Sequence, residues 1–149
     1  MTTLRYTRAD SERAHNEWGA SCGPHSLAAA LGLTLDEVRA VLPAFKGWMN
    51  PTMMGDALRS LGKRYDLKKG LKTQVPCEGI CRVQWEGSWL NPGVPPAAAY
   101  HHTHWVAHHE GHVLCTASVA ELWVPFETWK AWLHQAGKPW HFTHHYILS

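Results

Sequence analysis

The sequence predicts a single α+β domain, with helices in its first half and an antiparallel sheet in its second. Three observations carry that expectation. Helix start and stop residues punctuate positions 22 to 62, polar and apolar side chains alternate between Ile80 and Glu86, and 149 residues suffice for one continuous core. Hydrophobic residues at 45% and charged residues at 17% place the chain among globular domains rather than disordered ones.

Taken in order, Cys22-Gly23-Pro24 opens a run rich in Ala and Leu that stops at Gly32, with Pro inside the start and Gly past the end. Thr34 and Glu37 form a capping box for a short helix that Pro43 ends. Asn50-Pro51 starts a third helix, with Met54, Leu58 and Leu61 on one face and Gly62 as its stop. Ile80 to Glu86 reads as a strand with Cys81, Val83 and Trp85 on one face and Arg82 and Gln84 on the other. Ser88 to Pro96 reads as a loop. Thr103–His109 and 112–117 read as a hairpin about a Glu110-Gly111 turn. A last helix over 125–136, stopped by Gly137, and a strand over 141–148 complete the pattern. The polar segment 1–15 is expected to be a poorly ordered arm.

The charge excludes some partners. A formal net charge of +2 with no Lys/Arg stripe gives no footing for nucleic acid. Protonating all 12 His would add 12 charges to that +2, so acid should change the chain's behaviour. Met1 to His15 has no apolar h-region, and no stretch approaches a membrane span, so no membrane partner and a cytoplasmic location are expected. In that compartment the four cysteines read as thiols first.

The segment from Asn16 to Ser26 carries the chemistry. A Cys at the start of a helix feels the positive end of the macrodipole and its unpaired N–H groups, which favour thiolate over thiol. The same N–H groups can hold an oxyanion, and Asn16, six residues before Cys22, offers an amide as a further donor. His104 heads an apolar strand 82 residues later and supplies the imidazole that a thiolate needs as ion-pair partner and proton donor. Trp18 and Trp105 are candidates for the wall of a peptide groove, with Gly23 beside the nucleophile.

These two segments, Cys-Gly-Pro with an Asn six residues upstream and His-Trp-Val on a later strand, resemble the papain-like cysteine peptidases. They look closest to the compact bacterial branch that includes the double-glycine leader peptidases. The resemblance runs from Asn16 to Trp132. It implies a papain-like fold, Cys22 as nucleophile, His104 as general acid/base, Asn16 as oxyanion donor, a peptide or protein substrate and no cofactor.

One position departs from that family. Its third member is an Asp or Asn on the strand next to the His. With a two-residue turn at Glu110-Gly111, residue 104 faces Ala117, which cannot orient an imidazole. Thr116, Ser118 and Glu121 are nearby substitutes, and Cys115 shares the face but is a poor acceptor. A degenerate papain-like domain that binds rather than cleaves, phage or mobile-element encoded, is therefore the alternative. A second alternative is a Cys/His zinc domain built from Cys77, Cys81 and the His cluster at 101, 102, 104, 108, 109 and 112. Cys77-x-x-x-Cys81 is looser than the usual C-x-x-C pair, so no metal is expected.

Overall fold

The computed structural model describes residues 7–18, 22–42, 49–100, 102–115, 122–135 and 139–148. Within them the fold is α+β, with six helices and one antiparallel sheet of six strands. The helices are α1 (Arg8–Trp18), α2 (Cys22–Leu31), α3 (Leu35–Ala40), α4 (Pro51–Ser60), α5 (Pro96–Tyr100) and α6 (Phe126–Gln135). The strands are β1 (Tyr65–Thr73), β2 (Gly79–Trp85), β3 (Thr103–His109), β4 (His112–Leu114), β5 (Trp123–Pro125) and β6 (Trp140–Leu148), in the order β1-β6-β2-β3-β4-β5.

Local chemistry sets most of these ends. Thr34 caps α3 with both halves of its capping box made, and the Asn50 side chain accepts from the Met53 N–H at the head of α4, with Pro51 in the first turn. Gly32 and Gly62, at φ +64° and +70°, take the left-handed conformation that lets the chain leave α2 and α4. At the hairpin, Glu110 and Gly111 have φ of 45° and 80°, as a two-residue type I′ turn requires. His109 pairs with His112 and Ala107 with Leu114, which is the expected register. Pro43 and Gly137, expected as stops, lie outside the described residues.

The sheet is covered on both faces. On one, Leu27 and Ala28 of α2, Val38 of α3, and Met54, Ala57 and Leu58 of α4 pack on Ile80, Trp105, Ala107 and Tyr146. On the other, Trp129 and Leu133 of α6 pack on Cys81, Val83, Val106, Val113 and Phe142. Trp129 is the hub of this second core, stacked on Phe142 at 6.0 Å and edge-on to Trp140 at 5.3 Å. Two polar ties fix the approach to α4: Trp105 Nε1 donates to Met49 O at 2.9 Å and Tyr146 Oη to Pro51 O at 2.8 Å.

Burial on both faces corrects the amphipathic picture of β2, whose Arg82 and Gln84 are 5% exposed. They stay polar because they are used internally. Arg82 reaches Thr143 Oγ1, and the Gln84 amide donates to Ala99 O and His102 O. Two further expectations change, and one strand lies where the sequence predicts none. Residues 8–15 belong to α1 rather than to an arm, because Thr7 and Asp10 cap each other at its start. The stretch after Gly62 is the edge strand β1, and the loop after Trp85 contains a 3-10 turn at Ser88–Leu90 and the short α5.

Gly79 heads β2 at φ +141°, and a Cβ there would lie 2.1 Å from Tyr146 O. Neither the conformation nor the space suits a side chain. Gly79→Ala should destabilise the fold by about 2 kcal/mol or more. Urea unfolding of both proteins measures the difference; an unchanged midpoint would mean that β2 and β6 do not pack this closely.

Candidate functional site

The start of α2 meets the head of β3. Cys22 is the first residue of α2, and His104 is the second residue of β3, opposite Val83 on β2. Gly23, beside the thiol, makes room for Met49, since a Cβ on it would lie 2.6 Å from Met49 Sδ. The head of β3 is clamped from behind. Trp85 N–H donates to His102 O at 2.9 Å, Gln84 holds Ala99 O and His102 O, and Trp89 stacks on the His102 ring at 3.5 Å and 9°. His104 therefore emerges from a fixed piece of backbone, with the Trp85 ring 6.5 Å from its own.

The Cys22 and His104 side chains lie close enough to shift each other's ionisation. The Trp105 backbone N–H donates to Cys22 Sγ at 3.2 Å. Burial pushes the Cys22 thiol up, but the His104 charge, the His104 hydrogen bond and the Trp105 N–H outweigh it and hold the thiol below its ordinary value. Burial pushes the His104 imidazole down, yet the Cys22 charge and hydrogen bonds to Cys115 and Cys22 carry it well above its ordinary value. Each group thus favours the charged form of the other, the condition for a thiolate–imidazolium pair.

The third member of the cluster is Cys115. Its Sγ lies 3.3 Å from His104 Nε2, and it is 1% exposed, with its N–H on Leu122 O. Continuing the hairpin register sets Cys115 opposite Val106, on the face of the sheet that His104 shares, so the sulfur reaches the ring diagonally. Ala117, Thr116, Ser118 and Glu121, weighed from the sequence for this role, lie outside the described residues.

The other expected site residues divide. Asn16 is in the last turn of α1 with an exposed side chain, and the segment joining it to Cys22 lies outside the described residues. The Trp18 side chain also lies outside them. Gly23 and the Trp105 ring are buried in the core, so neither lines a groove; Gly23 supplies space and Trp105 its backbone N–H.

A second thiol cluster was only half visible in the sequence. Cys77 Sγ is 3.5 Å from Cys81 Sγ, which is 3.9 Å from His145 Nδ1. A hydrogen bond from Cys81, with help from His145, brings the half-buried Cys77 down to about 6 against the pull of burial. Burial and Cys77 push Cys81 well up. Of the histidines expected as ligands, His108 bonds Cys77 O at 3.1 Å and His109 bonds the Glu78 carboxylate at 3.0 Å, while His145 was not singled out. The signal for it was the alternation of the last strand, which faces Cys81 across the sheet.

Comparison with protein-family models, with curated proteins and with solved structures finds no match. Among the described residues no helix is long and apolar enough to cross a membrane.

In the reduced, chelator-treated chain, iodoacetamide at pH 7 should modify Cys22 and Cys77 before the buried Cys81 and Cys115. The Cys22 rate should hold as pH falls from 9 and drop only below its lowered pKa. His104→Ala should slow Cys22 labelling at pH 7 by about tenfold or more, since each unit of pKa is tenfold in thiolate, and leave Cys77 unchanged. Mapping by mass spectrometry checks this; equal loss at both cysteines would point to unfolding instead.

Proposed function

We propose that the chain is a papain-like cysteine hydrolase that cleaves a peptide or amide bond through Cys22 and His104. The observation that carries this reading is the pairing of a helix-start thiol with a strand-head imidazole, each displaced toward its charged form by the other. A substrate carbonyl carbon accepts the Cys22 thiolate, and the electron pair of its C=O moves to oxygen. Backbone N–H groups at the start of α2 face that oxyanion, and Asn16 is the further donor in this reading. Collapse of the intermediate breaks the C–N bond as the His104 imidazolium gives its proton to the leaving amine. The neutral imidazole then takes a proton from water, hydroxide attacks the thioester, and Cys22 leaves as thiolate with His104 again protonated.

Cys115 acts as the positioning residue. With its sulfur at Nε2, it holds the ring where an Asp or Asn stands in the family that the sequence resembles. A sulfur is a weaker acceptor than a carboxylate or amide oxygen, and this favours the second reading, a domain that binds peptide and turns it over slowly.

The two readings separate on one series of variants, assayed with a fluorogenic peptide library and a peptidyl electrophile that forms a covalent adduct with the nucleophile. Hydrolysis in the wild type, its loss in Cys22→Ala and in His104→Ala, and a fall of about 10- to 100-fold in Cys115→Ala support the hydrolase. That fall corresponds to a hydrogen bond to a charged group, about 1.5–3 kcal/mol. No adduct at Cys22 and no turnover in any protein would leave the binding domain in its place.

A further inference from the structure

We propose that Cys77, Cys81 and His145 form a second site, separate from Cys22 and His104, that binds one zinc ion. Among the described residues they are the one group of three ligating side chains whose donor atoms all lie within 4.8 Å of one another. The spacing suits a common cation. With Zn–S near about 2.3 Å and Zn–N near about 2.0–2.1 Å, a tetrahedral centre has S···S edges of about 3.8 Å and S···N edges of about 3.5 Å. The sulfurs are 3.5 Å apart, and Cys81 Sγ is 3.9 Å from His145 Nδ1. On these two edges a cation at the centre needs shifts of a few tenths of an ångström, and the third edge, Cys77 to His145, lies within 4.8 Å.

The fold builds the triangle from rigid parts. Cys81 on β2 and His145 on β6 are paired across two central strands. Cys77 precedes the strand and lies over Cys81, with the chain bending at Glu78 into Gly79, the residue that admits no side chain. His145 is 4% exposed and turns Nδ1 toward Cys81 Sγ, while among the described residues its other ring nitrogen, Nε2, has no hydrogen-bond partner. A buried imidazole whose near polar neighbours are thiols has little to gain from hydrogen bonding and much from a cation.

The arrangement also sets the route and the coordination number. Cys81 and His145 are buried while Cys77 is half-buried, so the ion enters from the Cys77 side. Three protein ligands leave a fourth position on that side for water. Both sulfurs bind as thiolates, any proton they still carry passing to solvent, and the two thiolates balance the charge of Zn²⁺. The ion would fasten the start of β2 to β6 and close Cys77 to oxidants.

The test uses the whole chain, reduced, stripped with chelator, reloaded with zinc and desalted. About one equivalent of zinc should remain, and Cys77→Ser or Cys81→Ser should bring it below about 0.2. Cobalt(II) added in place of zinc should give a thiolate charge-transfer band that both variants lose. Two controls keep the result from resting on variants that fail to fold. Zinc should protect Cys77 and Cys81 of the wild type from alkylation without protecting Cys22, and Cys22→Ala should keep its zinc. Equal alkylation of Cys77 and Cys81 with and without zinc overturns the proposal, as does zinc lost in Cys22→Ala and kept in Cys77→Ser.

Discussion

The approach of the α2 start to the head of β3 is the constraint on which the rest of this molecule depends. At that seam the Trp105 N–H, which heads an apolar strand, donates to a sulfur. The contact joins two layers that pack mainly by apolar burial, Leu27 and Ala28 on one side and Trp105 and Ala107 on the other. It also places Cys22 within reach of the His104 side chain. Gly23 leaves the space that the Met49 side chain fills beside the thiol. The polar clamp from Gln84 and Trp89 stops the strand head from sliding.

From that seam the two sides of the sheet take different roles. The side under α2, α3 and α4 is a continuous apolar core that sets the helix positions. The side under α6 holds Trp129 and its aromatic neighbours, and also the sulfurs of Cys81 and Cys115. Sulfur is small and polarisable enough to pack in such a core and still meet an imidazole. His104 and His145 use it that way, at different strands of the same sheet.

How much of this was legible follows from where each signal sits. Capping residues, the Pro-Gly asymmetry and the two-residue turn act within a few positions, so α2, α3, α4 and the β3–β4 hairpin can be read directly from Thr34, Asn50, Gly62 and Glu110-Gly111. The pairing of Cys22 with His104 was readable because a helix start and a strand head each have a local signature. β1 was missed because Lys68, Lys69 and Gly70 carry no apolar alternation; the strand exists through its pairing with β6. The N-terminal helix was missed because a polar segment reads as an arm unless Thr7 and Asp10 are seen as a cap. Cys115 shares the face of Ala117 and reads as a poor acceptor, while its contact with His104 is diagonal rather than directly across the hairpin. His145 was invisible as a partner of Cys81 because only the strand order brings positions 64 residues apart together.

The central claim is that His104 is a cation held by the charge of Cys22, and nitrogen NMR of the imidazole reads that state directly. With ¹⁵N-labelled histidine, the ring nitrogens of His104 should report an imidazolium at pH 7 and remain so well above the ordinary histidine range of about 6.5. In Cys22→Ala the same ring should become neutral at pH 7, because burial, the largest influence on it, is then opposed by Cys115 alone. A His104 that titrates near the ordinary value in both proteins, or that stays charged without Cys22, would contradict the account.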